Sequence, residues 1–359
     1  MSRHRAGSSR DPLLLTASLV VTLAVVSGGI AYAAAKPDAL RGSVVEGTTL
    51  AAAPERSTPG PKRTKKTVVQ QGHVIKPEKR PTLLKASDGR IGTGLLLQPL
   101  AAVQAPVGDQ VKGQVTAAVA NLPNRTSDGG FTSSIRTLTA NGSDFVTLNE
   151  VSRHSIAGIQ AAAPGYGAYR DPSPDRSTGG SQSMNNVVMW RADRWNLIDG
   201  GRVKVVDNDT GILHGKRFVW DRYATWALFQ RKDDGAIVSV VSVHMPTNPA
   251  KFPAQPGGAS MSRVERYSRG MDVLVNTVRV LAAHGPVLVG GDMNSHHSQG
   301  AWSAAAKMTA AGYEYVKDQG VMHLFFPSAA DVVSNRQVGV ASDHPAIVTT
   351  LEMNGQGPS

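Results

Sequence analysis

The chain contains no cysteine, and aromatic residues make up only 5% of it. The lack of cysteine excludes a thiol nucleophile, cysteine-ligated zinc and disulfide bonds. Exported proteins usually carry disulfides, but their absence does not exclude export. No internal repeat recurs at a fixed period of about 20–50 residues, so solenoid and propeller architectures are not indicated. With 359 residues, 41% of them hydrophobic, the chain can form one or two domains with a sizeable core.

The excess of positive over negative charge is concentrated at the N-terminal end of the chain and is small in the rest. Residues 1–113 hold 16 Lys and Arg against 7 Asp and Glu, whereas residues 114–359 hold 22 against 20. A basic tail suits anionic lipid, a cell-wall polymer or non-specific nucleic acid, and it equally suits a solvated spacer. The nearly neutral remainder gives no argument from composition for a long groove that binds a polyanion.

The first 35 residues have the composition of an export signal or a membrane anchor. A basic start with three arginines precedes Leu13–Ala35, a stretch of 23 residues without a charge. That length is enough to span a bilayer. The same stretch has the form of a secretory signal, with Ala31-Tyr32-Ala33 as a cleavage site. Both alternatives stay open at this point, and both place the remainder of the chain outside the cytoplasm.

Residues 36–113 are basic and rich in proline, without a sustained apolar period. This composition predicts a disordered linker. We therefore expect a leader over residues 1–35, a linker over 36–113 and a folded domain over 114–359.

Apolar periodicity within the folded domain predicts strands alternating with helices. The predicted strands are Gln114–Leu122, Asp144–Leu148, Asn186–Trp190, Arg202–Val206, Tyr223–Gln230, Ala236–His244, Pro286–Val289, Gly320–Phe326 and Ala346–Leu351. The predicted helices are Phe131–Ala140, Ser155–Ala163, Ser262–His284 and Trp302–Ala311. Because helices recur between the strands, the pattern indicates an α/β layered sandwich.

A polar segment follows the buried strand at the start of Val287–Ser298, VLVGGDMNSHHS. Asp292 and Asn294 stand two residues apart and would face the same side of an extended strand end. The carboxylate can ligate a hard cation or orient a water molecule, and the amide can donate to a phosphate oxygen. Taken alone, such a segment is more typical of a polar turn. His296 and His297 are expected to be exposed loop residues.

Polar residues also border other predicted strands. A fold that gathers strand ends at one edge would bring them together, as ligand sites in sheet proteins do. These residues are Asn121, Glu150, His244, Asp292, Asn294, Asp343 and His344.

Five short motifs resemble the endonuclease/exonuclease/phosphatase family, which has the pancreatic-type deoxyribonuclease fold. In order, they are ANLPN, FVTLNEV, VSVHMPTN, GGDMN and ASDHPAIV, around Asn121, Glu150, His244, Asp292 and Asp343. The resemblance covers Gln114–Leu351. It implies a fold that combines helices and strands, α/β or α+β. The expected architecture is a four-layer α-β-β-α sandwich of two packed mixed sheets, with the site at one edge.

The resemblance also implies a metal site. Asn121, Glu150 and Asp343 match the residues that hold a divalent cation, most often Mg²⁺, with Mn²⁺ or Ca²⁺ as alternatives. Oxygen ligands without a thiol suit such a hard cation.

Four further residues match catalytic positions of the family. By resemblance, Asp292 orients or deprotonates the attacking water and Asn294 holds the phosphate. His344 stabilises the developing charge or shuttles a proton, and His244 serves the leaving oxygen. Asn186, Arg222 and Asn248 fall where the family often contacts substrate. Arg222 fits equally well as a surface residue paired with a nearby acid.

The chain departs from the family at one position. An aspartate that orients the last histidine usually stands in the strand before the final motif, and Met322 occupies that position here. Asp318 and Asp331 are close in sequence but out of register. The departure puts catalytic competence in question.

The leading hypothesis is an exported or membrane-anchored, metal-dependent phosphoesterase, expected to be a monomer. Its substrate would be a nucleic acid, a sugar or lipid phosphate, or a phosphodiester lipid, selected by the loops Arg170–Met184 and Thr247–Met261. Residues 13–35 would contact the membrane if they are not removed. The alternative is a non-catalytic surface module of the same fold that binds a phosphorylated ligand or wall polymer. A purely structural anchored protein is a third hypothesis, which requires the polar strand ends to lie apart.

Overall fold

The computed structural model describes residues 110–140, 142–171, 186–213, 216–247, 249–251 and 261–355. The predicted leader and residues 36–109 of the predicted linker lie outside the described residues. Among the described helices, none combines the length and the hydrophobicity needed to cross a bilayer.

The described chain forms two mixed sheets of six strands each. The strands are β1 (Lys112–Asn121), β2 (Phe145–Asn149), β3 (Tyr166–Tyr169), β4 (Val187–Arg191), β5 (Trp195–Leu213), β6 (Lys216–Arg231), β7 (Ile237–His244), β8 (Val287–Asp292), β9 (Tyr313–Lys317), β10 (Met322–Pro327), β11 (Asp331–Val338) and β12 (Ala346–Asn354). The first sheet has the order β11-β12-β1-β2-β4-β3, and the second has the order β5-β6-β7-β8-β10-β9. Only β1–β2 and β7–β8 pair in parallel; the other paired strands are antiparallel.

In the described part of the chain, four helices accompany the sheets: α1 (Asp128–Thr139), α2 (Ile156–Ala162), α3 (Arg263–Ala282) and α4 (Ala304–Thr309). Each begins after a serine whose side-chain oxygen accepts a hydrogen bond from a backbone N–H in the first turn. This contact satisfies one of the donors that a helix N-terminus leaves without an intrahelical partner. The capping residues are Ser127, Ser155, Ser262 and Ser303.

The buried apolar side chains form three clusters that define four layers. Helices α1 and α2 cover the outer face of the first sheet through Phe131, Ile135, Leu138 and Ile159. Helices α3 and α4 cover the outer face of the second sheet through Tyr267, Met271, Leu274, Val278 and Met308. The cluster between the sheets includes Phe145, Phe229, Leu288 and Phe326. The predicted four-layer α-β-β-α sandwich is therefore confirmed.

All four predicted helices and all nine predicted strands are present, most with ends shifted by up to three residues. The strand predicted to begin at Tyr223 is β6, which begins seven residues earlier, at Lys216. The strand predicted at Arg202–Val206 is part of the much longer β5. Three strands were not predicted. β3 has only four residues, β9 alternates tyrosines with charged residues, and the edge strand β11 is almost entirely exposed, so each lacks a clear apolar period.

The two sheets come very close at Gly290 and Gly291, which precede Asp292 at the end of β8. A Cβ atom on Gly290 would lie 2.3 Å from Oγ1 of Thr147, in the first sheet. A Cβ atom on Gly291 would lie 1.8 Å from the backbone oxygen of Val243, the residue paired with it in β7. Both positions therefore require glycine. Because the two sheets are close at these glycines, Asp292, the next residue, lies at the edge where the sheets meet.

We predict that Gly291→Ala destabilises the protein by about 3 kcal/mol or more, because the added methyl group overpacks against strand backbone. Urea denaturation monitored by circular dichroism measures this change. Gly129→Ala is the matched control, since no atom lies within 4 Å of a Cβ atom on Gly129. Equal stability of the two variants would contradict the clash expected between a side chain at position 291 and the backbone of β7.

Candidate active site

The site lies where four strands end, two in each sheet. Asn121 ends β1 and Glu150 follows β2 in the first sheet, while His244 ends β7 and Asp292 ends β8 in the second. Because each pair of strands is parallel, both members of a pair end at the same edge. The prediction that an edge gathers these polar strand ends is confirmed for these four residues.

Asn121 joins the carboxylates of the two sheets. Its Nδ2 donates to Oε1 of Glu150 at 3.1 Å and to Oδ2 of Asp292 at 3.0 Å. Its Oδ1 is buried and accepts no hydrogen bond. Both amide hydrogens are therefore used for positioning, and the amide oxygen stays free to accept a ligand.

His244 lies between the same two carboxylates. Its Nε2 is 3.8 Å from Oδ2 of Asp292 and 4.0 Å from Oε1 of Glu150. Burial, with smaller effects of Arg222 and His344, holds the pKa of His244 well below its usual range. The ring is therefore neutral at pH 7 and can donate only one N–H.

Asp292 is the buried acid of the site, with a side chain only 3% exposed. Burial raises its pKa to about 6, although His344 and hydrogen bonds from the Asn294 backbone and the Asn121 side chain partly oppose this shift. A carboxylate with a pKa near neutrality is well suited to accept a proton in the physiological range.

Asn294 does not stand on an extended strand, contrary to the prediction. Its backbone has a φ of 49°, in the left-handed region, and its N–H donates to Oδ1 of Asp292 at 2.9 Å. The side-chain Nδ2 donates to the backbone oxygen of Met245 at 3.0 Å. Asn294 thus contacts Asp292 by turning back toward it, and the two residues do not share one side of an extended strand end.

The two residues of the last motif differ in their relation to the site. His344 belongs to it: Nε2 lies 4.0 Å from Oδ2 of Asp292, and the side chain is 31% exposed. Asp343 is 61% exposed, and its carboxylate lies 4.0 Å from a guanidinium nitrogen of Arg125. Its predicted role as a metal ligand stays a prediction.

The three predicted substrate contacts have different surroundings. Asn186 is buried and accepts from Nδ2 of Asn149 at 2.9 Å. Arg222 is also buried, so it is not the surface residue of the alternative prediction; Nε and Nη2 each donate to Oδ2 of Asp209 at 3.1 Å. Asn248 lies outside the described residues.

Met322 sits beside Asp292, because the two residues are paired between β10 and β8. Its side chain belongs to the core between the sheets. Neither nearby acid replaces the missing carboxylate. Oδ1 of Asp318 accepts from the N–H groups of Gly320 and Met322, and the exposed Asp331 accepts from Asn354.

The donors of the site fit a hard cation in part. The free Oδ1 of Asn121 and the carboxylate of Glu150, 34% exposed, are oxygen donors from adjacent strand ends. Within the described ranges, no three His, Asp or Glu side chains are grouped so that they could hold a metal ion. Asn121 and Glu150 are thus the residues that would hold the predicted ion.

Three supporting residues were missed from the sequence. Asp209 is fully buried and binds both Arg222 and Arg263, at 2.9 Å to the latter. The hydroxyl of Tyr267 donates to the backbone oxygen of Met293 at 2.6 Å, next to Asn294. Asn149 accepts from the backbone N–H of Asp292 at 2.8 Å. A signal for Asn149 was present, because a polar residue ends an apolar strand directly before Glu150.

Solved structures of endonuclease/exonuclease/phosphatase proteins share this fold. One from Bacteroides vulgatus superposes with a TM-score of 0.52 and 16% identity over 68% of this chain and 100% of its own. One from Bacteroides thetaiotaomicron has a TM-score of 0.51 and 14% identity over 68% and 97%. A mannosyl-6-phosphatase from the same organism superposes less closely, with a TM-score of 0.48 and 14% identity over 66% and 99%.

At these identities the likeness establishes the fold, and the resemblance predicted from the motifs is confirmed at that level. No protein-family model matches the sequence. No curated protein matches it significantly.

We predict that Asp292→Asn stabilises the metal-free protein above pH 6. The folded-state pKa of Asp292 is about 6, against 3.8 as the ordinary value. Between these two pKa values, Asp292 is protonated in the folded state and ionised in the unfolded state. The free energy of unfolding therefore falls as pH rises, because the folded protein must then bury an ionised carboxylate. Asparagine has no charge to bury.

The difference in unfolding free energy should be small at pH 4 and reach up to about 3 kcal/mol at pH 7.5. Urea titrations in EDTA measure it. Asp272→Asn, at an exposed residue of α3 that pairs with Lys307, is the control. A stability difference that does not grow with pH would contradict the burial of a charged Asp292.

Proposed function

We propose that this protein hydrolyses a phosphate ester with the help of a divalent cation, most often Mg²⁺, and that it does so outside the cytoplasm. The observation that carries the proposal is the joining of Glu150 and Asp292 by Asn121, with His244 and His344 within 4.0 Å of Asp292. An acid with a raised pKa, the neutral imidazole of His244, the half-exposed imidazole of His344 and a free amide oxygen together suit phosphoryl transfer.

The roles of the side chains follow from their burial. Asp292, buried and ionised above about pH 6, takes a proton from the attacking water as the new P–O bond forms. His344, half-exposed beside it, donates to a phosphoryl oxygen and stabilises the charge that develops there. The one N–H of the neutral His244 gives the leaving oxygen a hydrogen bond as the ester bond breaks, and the leaving oxygen takes its proton from solvent. A divalent cation held by Asn121 and Glu150 would neutralise negative charge on the phosphate.

The location outside the cytoplasm rests on the sequence alone. The uncharged stretch Leu13–Ala35 behind a basic start supports export, either with cleavage or with retention as an anchor. The basic residues that follow would favour an anionic surface.

The competing function is binding without catalysis. Met322 favours it, because a thioether packed in the core cannot orient His344 as a carboxylate would. The distinction is experimental: an enzyme turns over, whereas a binding module gives a calorimetric signal with a phosphate ester and releases no product.

We predict Mg²⁺-dependent hydrolysis of at least one phosphate ester by the purified full chain in detergent. The panel comprises a chromogenic phosphodiester, a chromogenic phosphomonoester, plasmid DNA, an oligoribonucleotide and phospholipid vesicles. Glu150→Gln should lower the initial rate at least about 100-fold, because the cation loses its carboxylate ligand. Glu265→Gln, at an exposed acid paired with Arg269, should leave the rate unchanged. Hydrolysis that survives both EDTA and Glu150→Gln would refute the metal assignment, and binding without any turnover would favour the competing function.

We also predict that deletion of residues 1–35 keeps the protein in the cytoplasm. In a bacterial host, protease added to spheroplasts should digest the full chain and spare the deleted form. N-terminal sequencing of the exported protein then distinguishes a cleaved signal from an anchor. Protection of the full chain from protease would contradict the proposed location.

A further inference from the structure

A side-chain amide crosses from the first sheet to the backbone of the second at the centre of the site. Oδ1 of Asn149, the last residue of β2, accepts from the backbone N–H of Asp292 at 2.8 Å. Asn149 is fully buried, and Asp292 is nearly so. A buried N–H that lost this partner would carry the full cost of desolvation, so the contact holds the two strand ends together.

The other end of the same amide is held just as firmly. Nδ2 of Asn149 donates to Oδ1 of Asn186 at 2.9 Å and to Oγ of Ser242 at 3.3 Å. Asn186 in turn donates to the backbone oxygen of Tyr223, and Ser242 donates to that of Leu148 at 3.0 Å. Both hydrogens and the oxygen of the Asn149 amide are therefore used, which fixes the orientation of its plane.

The position of Asn149 depends on the glycines of β8. A Cβ atom on Gly291 would lie 3.2 Å from Oδ1 of Asn149 and would overlap the backbone of β7. The absence of side chains at this point lets the amide of one sheet reach the backbone of the other. Asparagine has the length for this contact, whereas alanine or serine is too short.

We propose that Asn149 is a positioning residue, which sets where the carboxylate of Asp292 stands by holding its backbone N–H across the two sheets. The proposal rests on the proposed function for its effect on catalysis. Its geometric part is independent, because it concerns a hydrogen bond that can be observed directly. Misplacing a reacting group by about 1 Å can cost on the order of 100-fold in rate.

Hydrogen exchange measured by NMR on the full chain in detergent tests the contact without any substrate. In Asn149→Ala the protection of the Asp292 amide should fall at least about tenfold, while that of Val289 in the middle of β8 stays within about twofold. If Asn149→Ala does not fold, Asn149→Ser replaces it. Unchanged protection at Asp292, or an equal loss at both amides, would overturn the proposal.

Kinetics test the positioning role. Asn149→Ala should lower kcat by about 10–100-fold with KM within about threefold, because Asn149 does not touch the substrate and substrate binding is retained. Ser143→Ala is the matched control: it removes a fully buried hydroxyl that donates to the backbone oxygen of Leu138, before the start of β2 and away from the strand end that carries the site. It should lower the melting temperature comparably and leave kcat within about threefold.

The outcomes separate this proposal from the proposed function. If the unmutated chain hydrolyses no phosphate ester, the proposed function fails, and hydrogen exchange alone decides on Asn149. If the unmutated chain is active and Asn149→Ala is equally active, the positioning role fails while the function stands. Equal losses of kcat in Asn149→Ala and Ser143→Ala would reduce the effect of Asn149 to general stability and overturn the proposal.

Discussion

The close contact of the two sheets at the end of β8 is the constraint on which the site depends. Parallel pairing gathers two strand ends in each sheet, but only the lack of side chains at Gly290 and Gly291 lets the ends of different sheets reach one another. With ordinary side chains there, the sheets would stand about 10 Å apart, as packed sheets usually do. Asn121 could not then donate to Asp292 at 3.0 Å.

The same contact creates an electrostatic problem that the neighbouring residues only partly solve. A carboxylate is buried at Asp292, and its partners are neutral amides, a neutral imidazole and a half-exposed histidine. The nearby arginine, Arg222, is itself bound by Asp209 and does not neutralise Asp292 directly. The site therefore holds an acid in an unfavourable environment, as reactive sites often do, and this lowers the stability of the fold.

Much of the fold and part of the site could be predicted from the sequence, for identifiable reasons. Asn121, Glu150, His244 and Asp292 each end a run of apolar residues, and such runs are visible without a structure. The supporting contacts were not visible, because they depend on how one sheet is placed over the other. Asn149 ends strand β2, Asp209 lies in strand β5 and Tyr267 lies in helix α3, and spacing alone does not reveal their partners.

Local backbone shape explains the remaining difference. The spacing of Asp292 and Asn294 was interpreted as an extended strand, whereas Asn294 turns back with a positive φ. Asparagine tolerates this conformation better than most residues, so the sequence is compatible with it but does not predict it. Asp343 lies in the loop between β11 and β12, where register arguments do not apply.

Glu150 shares the left-handed backbone conformation with Asn294, at a φ of 60°. Of the three non-glycine described residues with positive φ, these two belong to the site. Glutamate has no special tolerance for this region, so its left-handed backbone lowers the free energy of unfolding by about 1 kcal/mol. A population of variants selected only for thermal stability would therefore drift toward glycine or asparagine at position 150. A population selected for the carboxylate would retain glutamate and its backbone strain. The residue found at position 150 therefore distinguishes selection for the site from selection for stability.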